Sequence, residues 1–282
     1  MRTVPAAHGT LPRSKELLTK AFDDRFQARV KANAQAASAG EPTREALRAA
    51  FSAVPGVKEA LGKKRTRAQA LELPRVGKVP APKRPMVRLG SVQVIDVPPF
   101  QALTGQSGTG NNEINLSADP SGNMSFTIAP GLDDSGSCQG WCAIGQAFVT
   151  PDAGILEFQA TPSFSWSCVW LSEWWRQAAG TVFIGQVINR WQIDGPYIDT
   201  PWSSQSNLFS FDDYNLADDG FQQGESSGYD LTATIQCDTS VFLECWVWIG
   251  AYSNADGSNG QSSALNIMQA NVSSLTLNYW DW

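Results

Sequence analysis

The chain of 282 residues, 42% hydrophobic and 17% charged, has a globular composition that can bury a core as one or two domains. Its net charge of −6 averages two opposite parts: residues 1–88 carry 19 Lys+Arg against 7 Asp+Glu, while residues 89–282 carry only Arg176 and Arg190 against 20 acidic residues. The first part is near +12 and the second near −18, which speaks against polyanion binding by the second; no stretch approaches the ~20 apolar residues of a membrane span, and none reads as a Sec signal.

Ser14 is placed to cap a helix whose Leu18, Phe22, Phe26 and Val30 share one face, so residues 14–37 are expected to form an amphipathic helix. Thr43 opens a second, shorter helix with Leu47, Ala50, Phe51 and Val54 on one side, and Pro55-Gly56 ends it. A third is expected over 66–72, next to the solvated cluster Lys63-Lys64-Arg65-Thr66-Arg67. These segments make residues 1–73 a basic, helix-prone arm. Pro74, Pro80, Pro82 and Pro85 then impose an extended linker over 74–88, because proline lacks the N–H a helix needs.

Past that linker the apolar period changes from about 3.6 to 2. Phe164, Trp166, Cys168 and Trp170 alternate with small or polar residues, and Leu231, Ala233, Ile235 and Cys237 do the same. Similar runs near 112–118, 123–129, 142–149, 154–160, 180–193, 206–211, 240–252, 263–269 and 272–280 are split by Gly/Ser/Asn/Asp clusters. Only 171–179 is helix-compatible, so parallel crossovers have no material and the sheets should be antiparallel. Residues 89–282 are therefore expected to form an acidic, Trp-rich antiparallel β-sandwich of jelly-roll type.

The lone histidine, His8, lies in the arm, which removes His-dependent catalysis and His metal ligands from the β region. An enzyme reading then needs two carboxylates about 5 to 10 Å apart, as in a glycosidase. Glu244 is the best candidate, because it shares a strand face with Phe242, Trp246 and Trp248, where desolvation would raise its pKa; Glu157 is its candidate partner. Asp212, Asp213, Asn215, Asp218 and Asp219 gather oxygen ligands suited to Ca²⁺ in what reads as a loop. Cys138 with Cys142, and Cys237 with Cys245 across an expected hairpin, are disulfide candidates against a background of buried free thiols; Cys168 reads as a small core residue. Five cysteines fix no compartment.

All eleven tryptophans fall in the β region. Trp166 and Trp170 belong to the core, whereas Trp174, Trp175, Trp202 and Trp280 stand where an indole would be exposed or form a contact. Exposed indoles near Asn, Asp and Gln stack on sugar rings and equally fill subunit interfaces. The basic arm has three candidate partners: phosphates, the acidic β domain of a neighbouring copy, or an anionic membrane surface. Three functions follow. The favoured one is a non-catalytic module binding a glycan or protein surface through exposed aromatics. The second is a self-assembling protein in which arm and sandwich dock between subunits of a homo-oligomer. The third is a carboxylate-dependent glycosidase. The layout of basic arm, linker and jelly roll resembles that of some small-virus coat proteins, which implies the second.

Overall fold

The computed structural model describes residues 2–3, 10–56, 92–110, 112–130, 136–150, 153–173, 175–192, 195–214, 217–238, 241–256 and 262–281. Strand β1 (Arg2–Thr3) precedes a helix, α1 (Thr10–Ser52). After it come β2 (Val92–Asp96), β3 (Gln101–Thr109), β4 (Asn112–Ala118), β5 (Asn123–Pro130), β6 (Gly136–Val149), β7 (Gly154–Ala160), β8 (Ser163–Glu173), β9 (Ala178–Gln192), β10 (Tyr197–Asp213), β11 (Ala217–Ser226), β12 (Leu231–Cys237), β13 (Val241–Ala255), β14 (Ser262–Asn271) and β15 (Leu275–Asp281). The third expected helix, the basic cluster and the proline linker lie outside the described residues.

The strands form a mainly-β sandwich of two antiparallel layers. One layer runs β10-β9-β13-β6, with β3 and β1 sharing the far edge of β6. The other is written as two half-sheets, β11-β8-β14-β5-β4 and β12-β7-β15-β2. Because β7 leads into β8, β11 into β12 and β14 into β15 across short breaks, the halves are one sheet interrupted across its middle, and each layer is five strands wide. The chain changes layer between β2 and β3, β3 and β4, β5 and β6, β6 and β7, β8 and β9, β10 and β11, β12 and β13, and β13 and β14. Every strand pair is antiparallel, and among the described residues no helix connects one strand to the next after β2, which is why the expected antiparallel arrangement holds.

Period-2 alternation supplies the core between the layers. Phe126, Ile128, Ile144, Phe148, Leu156, Phe158, Trp166, Ile184, Val247 and Leu277 all point into it. On β13 both faces are covered: Leu243, Cys245, Val247 and Ile249 belong to the inner core, while Trp246, Trp248 and Tyr252 face outward and are buried all the same. The cover is α1. Its Leu18, Phe22 and Phe26, with Val30 beside them, pack on Trp141, Phe183, Trp246, Trp248 and Tyr252. Phe22 stacks on Trp141 with centroids 4.9 Å apart and meets Trp248 edge-on at 4.8 Å. Polar pairs fix the helix sideways. Ser107 on β3 donates to Asp23, and Arg25 reaches Gln205 and Ser203 on β10 at 3.0 and 3.2 Å.

Several expectations are corrected here. The two helices expected over 14–37 and from Thr43 are one, with Pro42 inside it. Glu41, next to that proline, pairs with Arg44 at 3.1 Å and Arg48 at 2.5 Å, tying the turns on either side of the missing N–H. Ser14 is no N-cap: it lies inside α1, fully buried, donating to Glu244. Residues 101–109, unassigned from sequence, form β3. Trp202, expected where an indole is exposed or forms a contact, lies within β10, and the acidic segment expected as a loop divides between the end of β10 and the start of β11. Within the chain, α1 packs on the first layer. No helix among the described residues is long and apolar enough to cross a membrane.

The disulfide candidates are also corrected: all five cysteines are buried free thiols. Cys138 and Cys142 stand four residues apart on one strand, about 13 Å along it at 3.3 Å per residue. That exceeds the reach of a disulfide. Cys237 and Cys245 lie on β12 and β13, which belong to different layers and form no hairpin. Desolvation pushes Cys138 and Cys142 up to about 12 and Cys237 up to about 11. Since the thiolate is the nucleophile, a chromogenic disulfide reagent at pH 8 should find none of the five in the native chain and all five in guanidinium. Rapid native labelling of any one would contradict this packing.

Candidate functional site

Where α1 leaves the end of the first layer, a cavity of about 410 Å³ opens between helix and strands, lined by Val30, Asn33, Ala34, Thr109, Gly136, Ser137, Gln177, Asn254, Ala255 and Asp256. Cavities of this size suit small ligands. Each polar group arrives on a different element: Asn33 from α1, Ser137 from the start of β6, Gln177 from the turn before β9, Asn254 from the end of β13. A single run of hydrogen bonds joins them. Asn33 Nδ2 donates to the Tyr252 hydroxyl at 2.8 Å, and Tyr252 is bonded in turn to Ser137. Ser137 Oγ donates to Asn254 Oδ1 at 2.5 Å, Asn254 Nδ2 to Gln177 Oε1 at 2.8 Å, and Gln177 Nε2 to Asp212 Oδ1 at 2.7 Å.

The run has a fixed sense because an ionised carboxylate only accepts. Asp212 therefore sets which end of the Gln177 amide faces it, and that choice passes to Asn254 and Ser137. Such chains polarise one another and hold their members rigid. Gln177 is anchored again through its backbone, whose carbonyl oxygen accepts from the Asp256 N–H at 2.9 Å. Close by, the Arg44 guanidinium lies 4.7 Å over the Tyr214 ring. Burial pushes the Tyr214 hydroxyl up to about 12, helped by the negative charges of Asp212 and Asp256 and opposed by Arg44. Burial likewise raises Tyr252, against the pull of its bonds to Ser137 and Asn33. The result is a preorganised, largely uncharged wall of amides and hydroxyls with one carboxylate, Asp256.

The residues singled out from sequence are distributed elsewhere. Glu244 is fully buried on the outward face of β13, beneath α1, where its Oε2 accepts from Ser14 and from Trp191 Nε1 at 3.1 Å. Glu157 projects from β7 on the opposite outer face of the sandwich, where its Oε1 accepts from Gln159 and Asn278 at 2.7 and 3.1 Å. With two layers between them, packed ~10 Å apart and with both side chains turned away from the middle, they do not form the close carboxylate pair a glycosidase needs. Of the tryptophans, Trp202 points between the layers and packs on the inner core. Trp175 takes a left-handed φ of 56° in the turn after β8 and rests against Phe51 of α1 at 5.2 Å. Trp280 is half-buried on the same outer face as Glu157, and Trp174 lies outside the described residues. Aromatic clusters are present, but they close the fold: Trp166 and Trp170 stack on Phe209 and Phe211 at 5.4 and 4.6 Å along the sandwich edge.

Among the calcium candidates, Asp212 is committed to Gln177, Asp219 stands exposed on β11, and Asn215 and the Asp218 side chain lie outside the described residues. Among the described residues, no group of three His, Cys, Asp or Glu side chains is placed to hold a metal ion. Sequence reasoning passed over Asn33, Ser137, Gln177, Asn254 and Asp256.

No family model matches the sequence, and no curated protein does. Among solved structures, the enzymatically active domain of tailspike protein 4 of bacteriophage CBA120 is similar over 60% of this chain and 19% of its own length, at 11% identity and a TM-score of 0.17. A CBM61 module solved in complex with β-1,4-galactotriose is similar over 59% of this chain and 88% of its own, with 11% identity and a TM-score of 0.17. The CBM22-1 xylan-binding domain from Paenibacillus barcinonensis gives 63%, 96%, 9% identity and a TM-score of 0.15. The likeness to carbohydrate-binding modules is weak.

Proposed function

We propose that this chain is a non-catalytic binding module whose amide-lined cavity beside α1 takes a glycan. One observation carries the reading: four polar side chains from separate segments, Asn33, Ser137, Gln177 and Asn254, are locked by a one-way hydrogen-bond chain around a ligand-sized cavity, which is how a site recognises hydroxyl groups by geometry. The separation of Glu244 from Glu157 supports binding over hydrolysis. The strand orders β6-β13-β9-β10 and β5-β14-β8-β11, with the chain passing repeatedly between them, support the jelly-roll form of the sandwich.

Recognition in this reading rests on amides more than on the exposed indoles first considered. A glycan array probed with the full chain tests it. A bound glycan should lose about tenfold in affinity on Gln177→Ala and again on Asn33→Ala, at roughly 0.5–1.5 kcal/mol per hydrogen bond lost. Thermal melting of each variant separates a lost contact from a lost fold. A blank array, or full affinity in the folded double variant, would end the reading.

A further inference from the structure

The cavity is the open end of a longer face. On β13, Trp246, Trp248, Tyr252 and Asn254 share the outward side of the strand, and Ser137 stands directly across from Asn254. Helix α1 packs on this face through Leu18, Phe22 and Phe26, and the cavity opens one turn on, at Val30 and Asn33. Eight residues lead from Asn254 back to Trp246, about 27 Å at 3.4 Å per residue.

The covered part is built as a platform. Trp141, Trp246 and Trp248 stand opposite Gly105, Gly145 and Gly185 on neighbouring strands, and each indole occupies the space a Cβ would need. The rings therefore lie along the sheet with a face turned outward, and α1 caps them with planar groups. Phe22 lies parallel to Trp141 within 17°, Arg25 sits 5.7 Å over Trp248, and Arg29 covers Phe183 and Tyr252 at 5.5 and 5.6 Å. Helix and face are nevertheless incomplete complements. Among the described residues, Trp246 Nε1, Asn189 Nδ2 and Arg29 Nη1 are buried donor atoms without a hydrogen-bond partner, and Trp246 and Asn189 are 0% and 2% exposed. Desolvation also lowers the pKa of Arg29. Each of these donors has lost water without gaining an acceptor, so release of α1 would rehydrate them and offset part of the apolar contact given up.

We infer that α1 is a displaceable cover, and that the aromatic face beneath it extends the glycan site to take the successive pyranose rings of a chain too long for the cavity. The inference rests on the glycan reading above and extends it. The C–H face of a sugar ring stacks on an indole as Phe22 does on Trp141, and the hydroxyls around its rim are acceptors for the donors that α1 leaves unpaired. A short ligand fills the cavity with α1 in place. A long one competes with α1, and its affinity is that of the open face reduced by the fraction of molecules in which α1 is released.

Calorimetric titration of the full chain with cellobiose, cellohexaose, mannobiose and mannohexaose tests it. Arg25→Ala removes the bonds from α1 to Gln205 and Ser203, so it should tighten hexaose binding about tenfold and leave the disaccharide unchanged. Asp23→Cys with Ser107→Cys places a disulfide where a hydrogen bond already joins α1 to β3. The pinned protein should bind the hexaose no better than the disaccharide, and reduction of the same protein should restore the difference. In the parent, saturating hexaose should raise deuterium uptake over residues 14–33. Hexaose affinity unaffected by pinning, or no higher in folded Arg25→Ala, or α1 equally protected with and without hexaose, overturns the cover while leaving glycan binding intact. A chain that binds none of the four sugars overturns this inference, and a blank array overturns the glycan reading with it.

Discussion

Phe22→Ala should lower unfolding stability by about 3–5 kcal/mol, the usual range for truncating a buried aromatic to alanine. Phe22 is only 2% exposed and meets three rings of the first layer, Trp141, Trp248 and Phe183. No neighbour can refill the space without α1 sliding along the strands. The lost contacts are the ones that join helix to sheet, so the transition should also show partial exposure of Trp141 and Trp248. Urea unfolding followed by tryptophan fluorescence reads both effects. Phe51→Ala is the internal control: Phe51 lies on the same helix but is 37% exposed, so its loss should be far smaller. Equal, small losses at both positions would mean that α1 does not dock on the sandwich in solution.

Glu244→Leu should be the second severe change, at about 2–4 kcal/mol. Here the reason is not a cavity. Ser14 and the indole N–H of Trp191 both donate to this carboxylate in a fully buried setting, and leucine leaves them without an acceptor. Glu244→Gln keeps an acceptor oxygen and should be the milder of the two. Ser14→Ala combined with Glu244→Leu should lose less than the sum of the single losses, because removing both partners avoids an orphaned donor. Denaturant curves for the four proteins provide the cycle. Strict additivity would show that the helix-to-sheet bond makes no contribution.

The placement of Glu244 shows how a sound local reading can mislead about function. The strand pattern correctly put Glu244 on one face with Trp246 and Trp248, and that face is indeed apolar and desolvated. A cleft and a helix-covered face produce the same alternation, however, and only the cover tells them apart. A hint was available: Val241 to Tyr252 is apolar at nearly every position, the pattern of a strand buried on both sides. Leu18, Phe22, Phe26 and Val30 formed a helical face still lacking a partner. Each of these unmatched faces is the other's cover.

What the sequence alone determined is the part of the fold governed by near neighbours. Alternation through Phe164–Trp170 and Leu231–Cys237 dictates strands with one inward face, and the single short helix-compatible stretch beyond residue 88, at 171–179, leaves no material for parallel crossovers and so dictates antiparallel layers. The change in charge sign near residue 88 is likewise a property of the chain itself. The tertiary structure alone decided where α1 lies, that Pro42 is bridged within it, that β12 and β13 part into different layers, and that Asn33, Ser137, Gln177, Asp212 and Asn254 converge. Periodicity tells a side chain that it must be buried, through the hydrophobic effect, but that force has no direction and names no partner. A cavity assembled from five separate segments leaves no local pattern, because its hydrogen bonds exist only once the distant backbones have met.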